Sequence, residues 1–257
     1  MKKRYPFSSL VSVVLVFVCV APFVYVFVQS LLSAEGGFTL RHYYDALLST
    51  SAYLHRFWRS LTLTICIAVG QVVISTLAGY GFAKCSFPGK NTVFFLLIIL
   101  MIMPLQVTLV PNYIMLDKLG LLNTYYALAL PMIFVPLGTF IMTQCFKSVP
   151  DSILEAARLD GCRTLGVIYR VAVPMNKSGL VCVMLLSFLD GWNMVEQPIA
   201  YLKDFGDYPI SVALAMTAPA DSSVKLVCCM LVILSPLFLF LYYNRELVEG
   251  IAFGEEK

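Results

Sequence analysis

Charge is scarce in this sequence. Asp, Glu, Lys and Arg make up 13% of its 257 residues and hydrophobic residues 60%, whereas an ordinary soluble domain carries about 25% charged residues. Mean hydropathy is +0.84. A sizeable soluble domain with a charged shell is therefore excluded. Histidine is nearly absent as well: His42 and His55 stand in unrelated contexts, so they read as surface residues and no metal site is indicated. The eight cysteines include no Cys-x-x-Cys pair, which leaves neither a structural zinc site nor a dithiol redox motif. Most fall in or beside apolar runs, with Cys85 and Cys162 in polar connectors, and all read as small packing residues. A phosphate-binding loop is missing too. The nearest match, "KCSFPGKN", has Lys84 where the first glycine belongs and Asn91 where Ser or Thr must follow the lysine. The net charge of +3 reflects topology and implies no nucleic-acid partner.

Apolar runs long enough to cross a bilayer, about 20 residues each, are abundant. They predict an all-α membrane protein with six transmembrane helices, at about 9–32, 60–83, 92–116, 124–146, 178–201 and 224–244. The basic start "MKKRYPF" resembles a signal-peptide n-region, but the run from Leu10 to Leu32 is too long for an h-region. It reads as a retained span. Orientation follows from the basic residues. With the N-terminus inside, Lys2, Lys3, Arg4, Lys84, Lys90, Lys147, Arg158, Arg163, Arg170, Lys177, Arg245 and Lys257 face the cytoplasm. Arg41, Arg56, Arg59, Lys118, Lys203 and Lys225 face outward. Both termini are expected inside a multi-pass cytoplasmic-membrane protein.

Two spans contain helix breakers: Pro104 and Pro111 with Gln106 between them, and Pro131 and Pro136 followed by Gly138. Proline removes an intrahelical hydrogen bond, and such breaks survive in lipid where neighbouring helices or a wet cavity satisfy the backbone. They fit either kinks that assist packing or a path lined by broken helices. Gln106 and Asn112 beside these prolines are candidate path residues, as are Trp192, Asn193 and Glu196 in the fifth run, near Asp190. An acid inside a span is a functional hypothesis. Trp192 fits a sugar-facing aromatic or an interfacial belt equally well.

The longest polar connector lies at 148–174. "SVPDSILEAARLDG" begins with the capping-type residues Ser148 and Asp151 and ends on Gly161, where a helix stops. Ile153, Ala156 and Ala157 form a small face that allows close approach to another surface. Thr164 is expected to cap a second short helix with Leu165, Ile168 and Ala172 on one side, ended by Pro174. The expectation is a helix, a glycine turn and a return helix built for docking.

Glu155-Ala156-Ala157, Gly161, then Val171-x-Val173-Pro174 resembles the EAA signature of bacterial ABC importer permeases, with valines where Ile and Leu are usual. The likeness runs from about residue 56 to the tail. "GYGFAKCSFPGK", "MPLQVTLVPNYIMLDKLGLLNTYYALALP" and "GWNMVEQPIAYLKDFGDYPISVALA" are similar to carbohydrate-uptake permeases of the MalG type. The resemblance implies the type I importer permease fold, with an N-terminal tail, first helix and external loop at 1–55, a permease core at 56–245 and a cytoplasmic tail at 246–257. It implies a non-catalytic subunit without cofactor. Its partners would be a homologous second permease, two ATP-binding subunits and an extracytoplasmic solute-binding protein, and its cargo a sugar.

The resemblance also gives the connector a role. Glu155, Ala156, Ala157, Asp160, Gly161 and Pro174 would belong to a coupling helix seated in the ATPase. Glu155 would pair with a basic group there, the two alanines would enter a groove, and Gly161 would supply the turn. The segment 203–223 aligns with a loop that meets the binding protein. Glu196 replaces an apolar residue, and the acidic tail departs from the family's ending. The rivals are the same machinery with a polyol, glycerol phosphodiester or peptide, and an ion-coupled carrier. The carrier would need paired buried charges or an inverted repeat, which the sequence lacks.

Overall fold

In lipid, backbone N–H and C=O groups must satisfy one another, which a helix does within a single segment. The computed structural model describes residues 6–32, 37–44, 46, 51–216 and 222–252, and among these no multi-residue strand occurs. In chain order the helices are α1 (Pro6–Ser30), α2 (Arg41–Tyr44), α3 (Ser51–Lys84), α4 (Lys90–Ile102), α5 (Leu105–Lys118), α6 (Tyr125–Ile133) and α7 (Pro136–Lys147). There follow α8 (Asp151–Leu159), α9 (Thr164–Val167), a π-helical turn (Ile168–Ala172), α10 (Val173–Met175), α11 (Lys177–Trp192), α12 (Glu196–Tyr201), α13 (Ile210–Met216) and α14 (Ser222–Ala252). Four stretches are long and apolar enough to cross a membrane, and six if each of two bent helix pairs counts as one crossing.

The centre of the bundle is α3 packed on α7 and α11. Small and hydroxyl side chains line that seam, among them Thr64, Ser75, Thr76, Thr139, Thr143 and Ser187, all buried. Two of these hydroxyls bond within their own helix, Thr143 to the Thr139 carbonyl (2.7 Å) and Ser187 to the Val183 carbonyl (2.7 Å). Small residues let membrane helices approach closely. Gly79 shows how closely: a Cβ there would lie 2.7 Å from Met142 Cβ. Large apolar side chains instead point outward along α1, α4 and α14, the reverse of a soluble protein.

Three of the expected runs are divided: 124–146 is α6 and α7, with Val135 held extended (φ −61°, ψ 127°) ahead of Pro136. The run 92–116 is two helices, α4 and α5, bent by 108°. The break falls at Met103, held extended (φ −68°, ψ 130°) ahead of Pro104, because a residue preceding proline is pushed out of the helical region. Pro111, by contrast, sits inside α5 without ending it. The run 178–201 is α11, a break at Asn193–Val195 and the short α12. No proline causes that break; Val195 departs from helical geometry (φ −130°, ψ −48°). The expected second span is longer than predicted, since α3 starts at Ser51 rather than 60.

Candidate functional site

Helix α8 projects from one end of the bundle, and its buried side explains its position. Leu154, 2% exposed, fills a socket made by Tyr80, Phe146, Val149, Val167 and Ile168. The Tyr80 and Phe146 rings meet edge to face at 5.7 Å. Lys84, at the end of α3, donates from Nζ to the Val149 carbonyl (2.6 Å) and to Asp151 Oδ1 (2.7 Å). That ammonium holds the Asp151 carboxyl below its ordinary pKa, first through the hydrogen bond and then through its charge. Arg158 reaches the Tyr80 hydroxyl at 3.5 Å.

Neither expected cap operates. The N-cap position is Pro150 with no side-chain bond; Ser148 Oγ donates back to the Cys145 carbonyl instead (2.7 Å), and Asp151 is taken by Lys84. The C-terminal expectation holds in detail. Gly161 is left-handed at φ 87°, Gly161 N–H donates to the Arg158 carbonyl and Cys162 N–H to the Ala157 carbonyl, both at 3.0 Å. That pair of bonds is the Schellman motif, which satisfies carbonyls a helix end leaves free.

Opposite the socket, Ile153, Glu155, Ala156, Leu159 and Asp160 face outward, Leu159 at 90% exposure. Ala156 and Ala157 divide: the first is exposed, while the second is half-buried against the socket, as neighbours 100° apart on a helix must be. The return segment also differs from expectation. Arg163, not Thr164, is the N-cap of α9. Leu165 is 60% exposed, apart from buried Ile168 and Ala172. Pro174 does not end the segment, because the helical backbone runs on from Thr164 through the π-helical turn to Met175. The chain turns two residues later at Asn176, whose amide donates to the Ala172 carbonyl (2.9 Å), with a bend of 87° into α11.

The candidate path residues separate into two groups. Gln106 on α5 donates from Nε2 to Glu196 Oε1 on α12 at 3.0 Å, beside both helix breaks. Asn193 is exposed and its amide bonds the Leu189 carbonyl (2.9 Å); Asn112 lies against the Tyr201 side chain. Trp192 belongs elsewhere. At 2% exposure it stacks on Phe188 (5.7 Å), meets Phe57 edge-on (5.6 Å) and donates to the Val232 carbonyl (3.2 Å). Its ring is thus enclosed by Phe188, Phe57 and the backbone of α14.

At the bundle's other end, the connector after α12 is fastened to the start of α3. Arg59 pairs with Asp207 (2.7 Å) and lies over the Tyr125 ring (4.9 Å). Tyr125 donates to the Asp207 carbonyl (3.1 Å), Arg56 lies over Phe205 (4.7 Å), and Ser60 Oγ accepts from Ile210 N–H (2.9 Å). Residues 217–221 of the expected loop lie outside the described residues.

Sequence reasoning missed Lys84, Tyr80 and Leu154, which hold α8, and Arg59 with Asp207. The one available signal was a lysine at the end of a predicted span.

Residues 71–248 match the family model described as binding-protein-dependent transport system inner membrane component. The chain is 28% identical over 222 residues to an arabinooligosaccharides transport system permease protein, AraQ, of Halalkalibacterium halodurans, covering 85% of this chain and 80% of that one. It is 26% identical over 202 residues to the sn-glycerol-3-phosphate transport system permease protein UgpE of Pectobacterium atrosepticum, covering 77% and 72%. A chain of a bacterial ABC transporter involved in importing the acidic polysaccharide alginate has the same fold, with a TM-score of 0.75 at 20% identity over 96% of this chain and 98% of that one.

Proposed function

Because the chain belongs to the binding-protein-dependent transport system inner membrane components, we propose that it is the permease subunit of an ATP-driven importer of sugars or oligosaccharides in the bacterial cytoplasmic membrane. A homologous second permease, two ATP-binding subunits and an external solute-binding protein complete the machine. Both termini and α8 lie on the cytoplasmic side, and the connector at 203–216 faces outward. The observation that carries this reading is α8: a short helix anchored on one side by Leu154 and Lys84, with Glu155, Ala156 and Leu159 exposed on the other. An exposed apolar patch rimmed by charge is a protein-docking surface. Motion of an ATPase groove around α8 would pass into the bundle through that anchor.

Glu155 is the residue to test. Truncating or reversing one partner of a desolvated charge pair costs about 2–5 kcal/mol, so Glu155→Arg should reduce solute uptake more than about tenfold while membrane levels stay normal. Uptake by proteoliposomes containing the complete complex measures this, and normal uptake would remove the coupling role.

A second reading, the same machinery carrying a glycerol phosphate, is favoured by the likeness to UgpE. Against it, the polar patch at the helix breaks presents Gln106, Asn193 and Glu196. Amides and a carboxylate suit hydroxyl groups, whereas a phosphate would meet like charge.

A further inference from the structure

Polar clamps grip α3 at both ends, and they hold the two segments that would meet partners. At one end Arg59, Arg56 and Ser60 fasten the connector through Asp207, Phe205 and Ile210. At the other, Lys84 holds Val149 and Asp151 at the root of α8, and Tyr80 lies beneath Leu154. α3 is one helix of 34 residues with no proline inside it, and from Arg59 to Lys84 it spans about 38 Å at 1.5 Å per residue.

Neighbouring routes between these segments are interrupted among the described residues. α4 and α5 meet at 108°, α6 and α7 are separated by extended Val135, and α11 is bent by 87° at one end and broken before α12 at the other. α14 packs on α1, α11 and α13 and is itself kinked at Tyr243, where the backbone leaves helical geometry (φ −110°, ψ 18°). Breaks of this kind absorb displacement, whereas a close-packed helix transmits it.

We propose that α3 is the transmission rod of this importer. Through the Arg59–Asp207 clamp it carries the state of the outer connector to α8, with Arg59 as a positioning residue for coupling. The inference rests on the importer reading above. Linkage is reciprocal, so engagement of α8 by the ATPase also tightens or loosens the outer clamp.

The test uses the complete complex with its cognate ATPase, second permease and binding protein in nanodiscs. Wild type should show ATPase stimulation by solute-loaded binding protein; absence of stimulation there overturns the importer reading itself. Arg59→Gln and Asp207→Asn should each lower the ratio of stimulated to unstimulated ATPase by about fivefold or more, the low end of typical site-to-site coupling. The reversed pair Arg59→Asp with Asp207→Arg should restore it. Amide exchange gives a readout that a local structural role would not move: in both single variants residues 151–160, at the far end of α3, should exchange faster. An unchanged ratio, equal falls in both activities, or faster exchange confined to 203–211 would each overturn the rod while leaving the importer reading intact. If Arg59→Gln does not assemble, Asp207→Asn and the reversed pair decide by the same criteria.

Discussion

Gly161 is the residue whose role was most legible. Its position after "EAARLD" marks a helix end, and the left-handed φ of 87° requires a residue without Cβ. A Cβ there would meet nothing within 4 Å, so the cost of substitution is purely conformational. Gly161→Val should cost about 1–2 kcal/mol and fray the end of α8. Limited trypsinolysis at Arg158 and Arg163 should accelerate about 5–30-fold, and an unchanged rate would argue against the motif.

Asp151 carries a pH dependence whose sign follows from Lys84. Its folded carboxyl titrates below the ordinary value because of that lysine. The stabilisation is therefore full above the ordinary carboxyl pKa of about 3.9 and is lost as pH falls through the depressed native value. Amide protection at the start of α8 should stay constant down to about pH 4 and fall below it. In Asp151→Asn that acid step should vanish.

Among the elements, the helices were readable from hydrophobic run length and the proline-led break from local chemistry. "MPL" at 103–105 forces Met103 out of the helix, a constraint between adjacent residues. The break at Asn193–Val195 has no such local cause. It coincides with the Gln106–Glu196 bond and with α12 packing on α5 and α6, contacts between distant parts of the chain.

The glycines of α3 separate the same way. Gly79→Leu must displace Met142, including its backbone at 3.0 Å, whereas a Cβ at Gly81 meets nothing. The first substitution should destabilise by about 1–3 kcal/mol through overpacking, and Gly81→Ala should stabilise by about 0.5–1 kcal/mol. Thermal unfolding in detergent should move in opposite directions for the two, and a shared direction would refute this account of the α3–α7 seam.

For the molecule as a whole, solute choice is the property to measure. With binding protein presented over a series of solutes, the proposed sugar reading expects a neutral oligosaccharide to stimulate the reconstituted ATPase more than sn-glycerol 3-phosphate does. The reverse order would replace the sugar reading with the phosphate one. Composition alone determined that this chain belongs in a bilayer, because few charges and long apolar runs leave no other solvent for it. Local spacing determined the helix and glycine turn around Glu155. Only the tertiary structure decided that Trp192 is core, that Leu154 and Lys84 seat α8, and that Arg59 grips Asp207. Pairings such as Lys84 with Asp151, 67 positions apart, arise from how helices stack. Stacking is settled by close packing across many residues at once and leaves no local pattern to read.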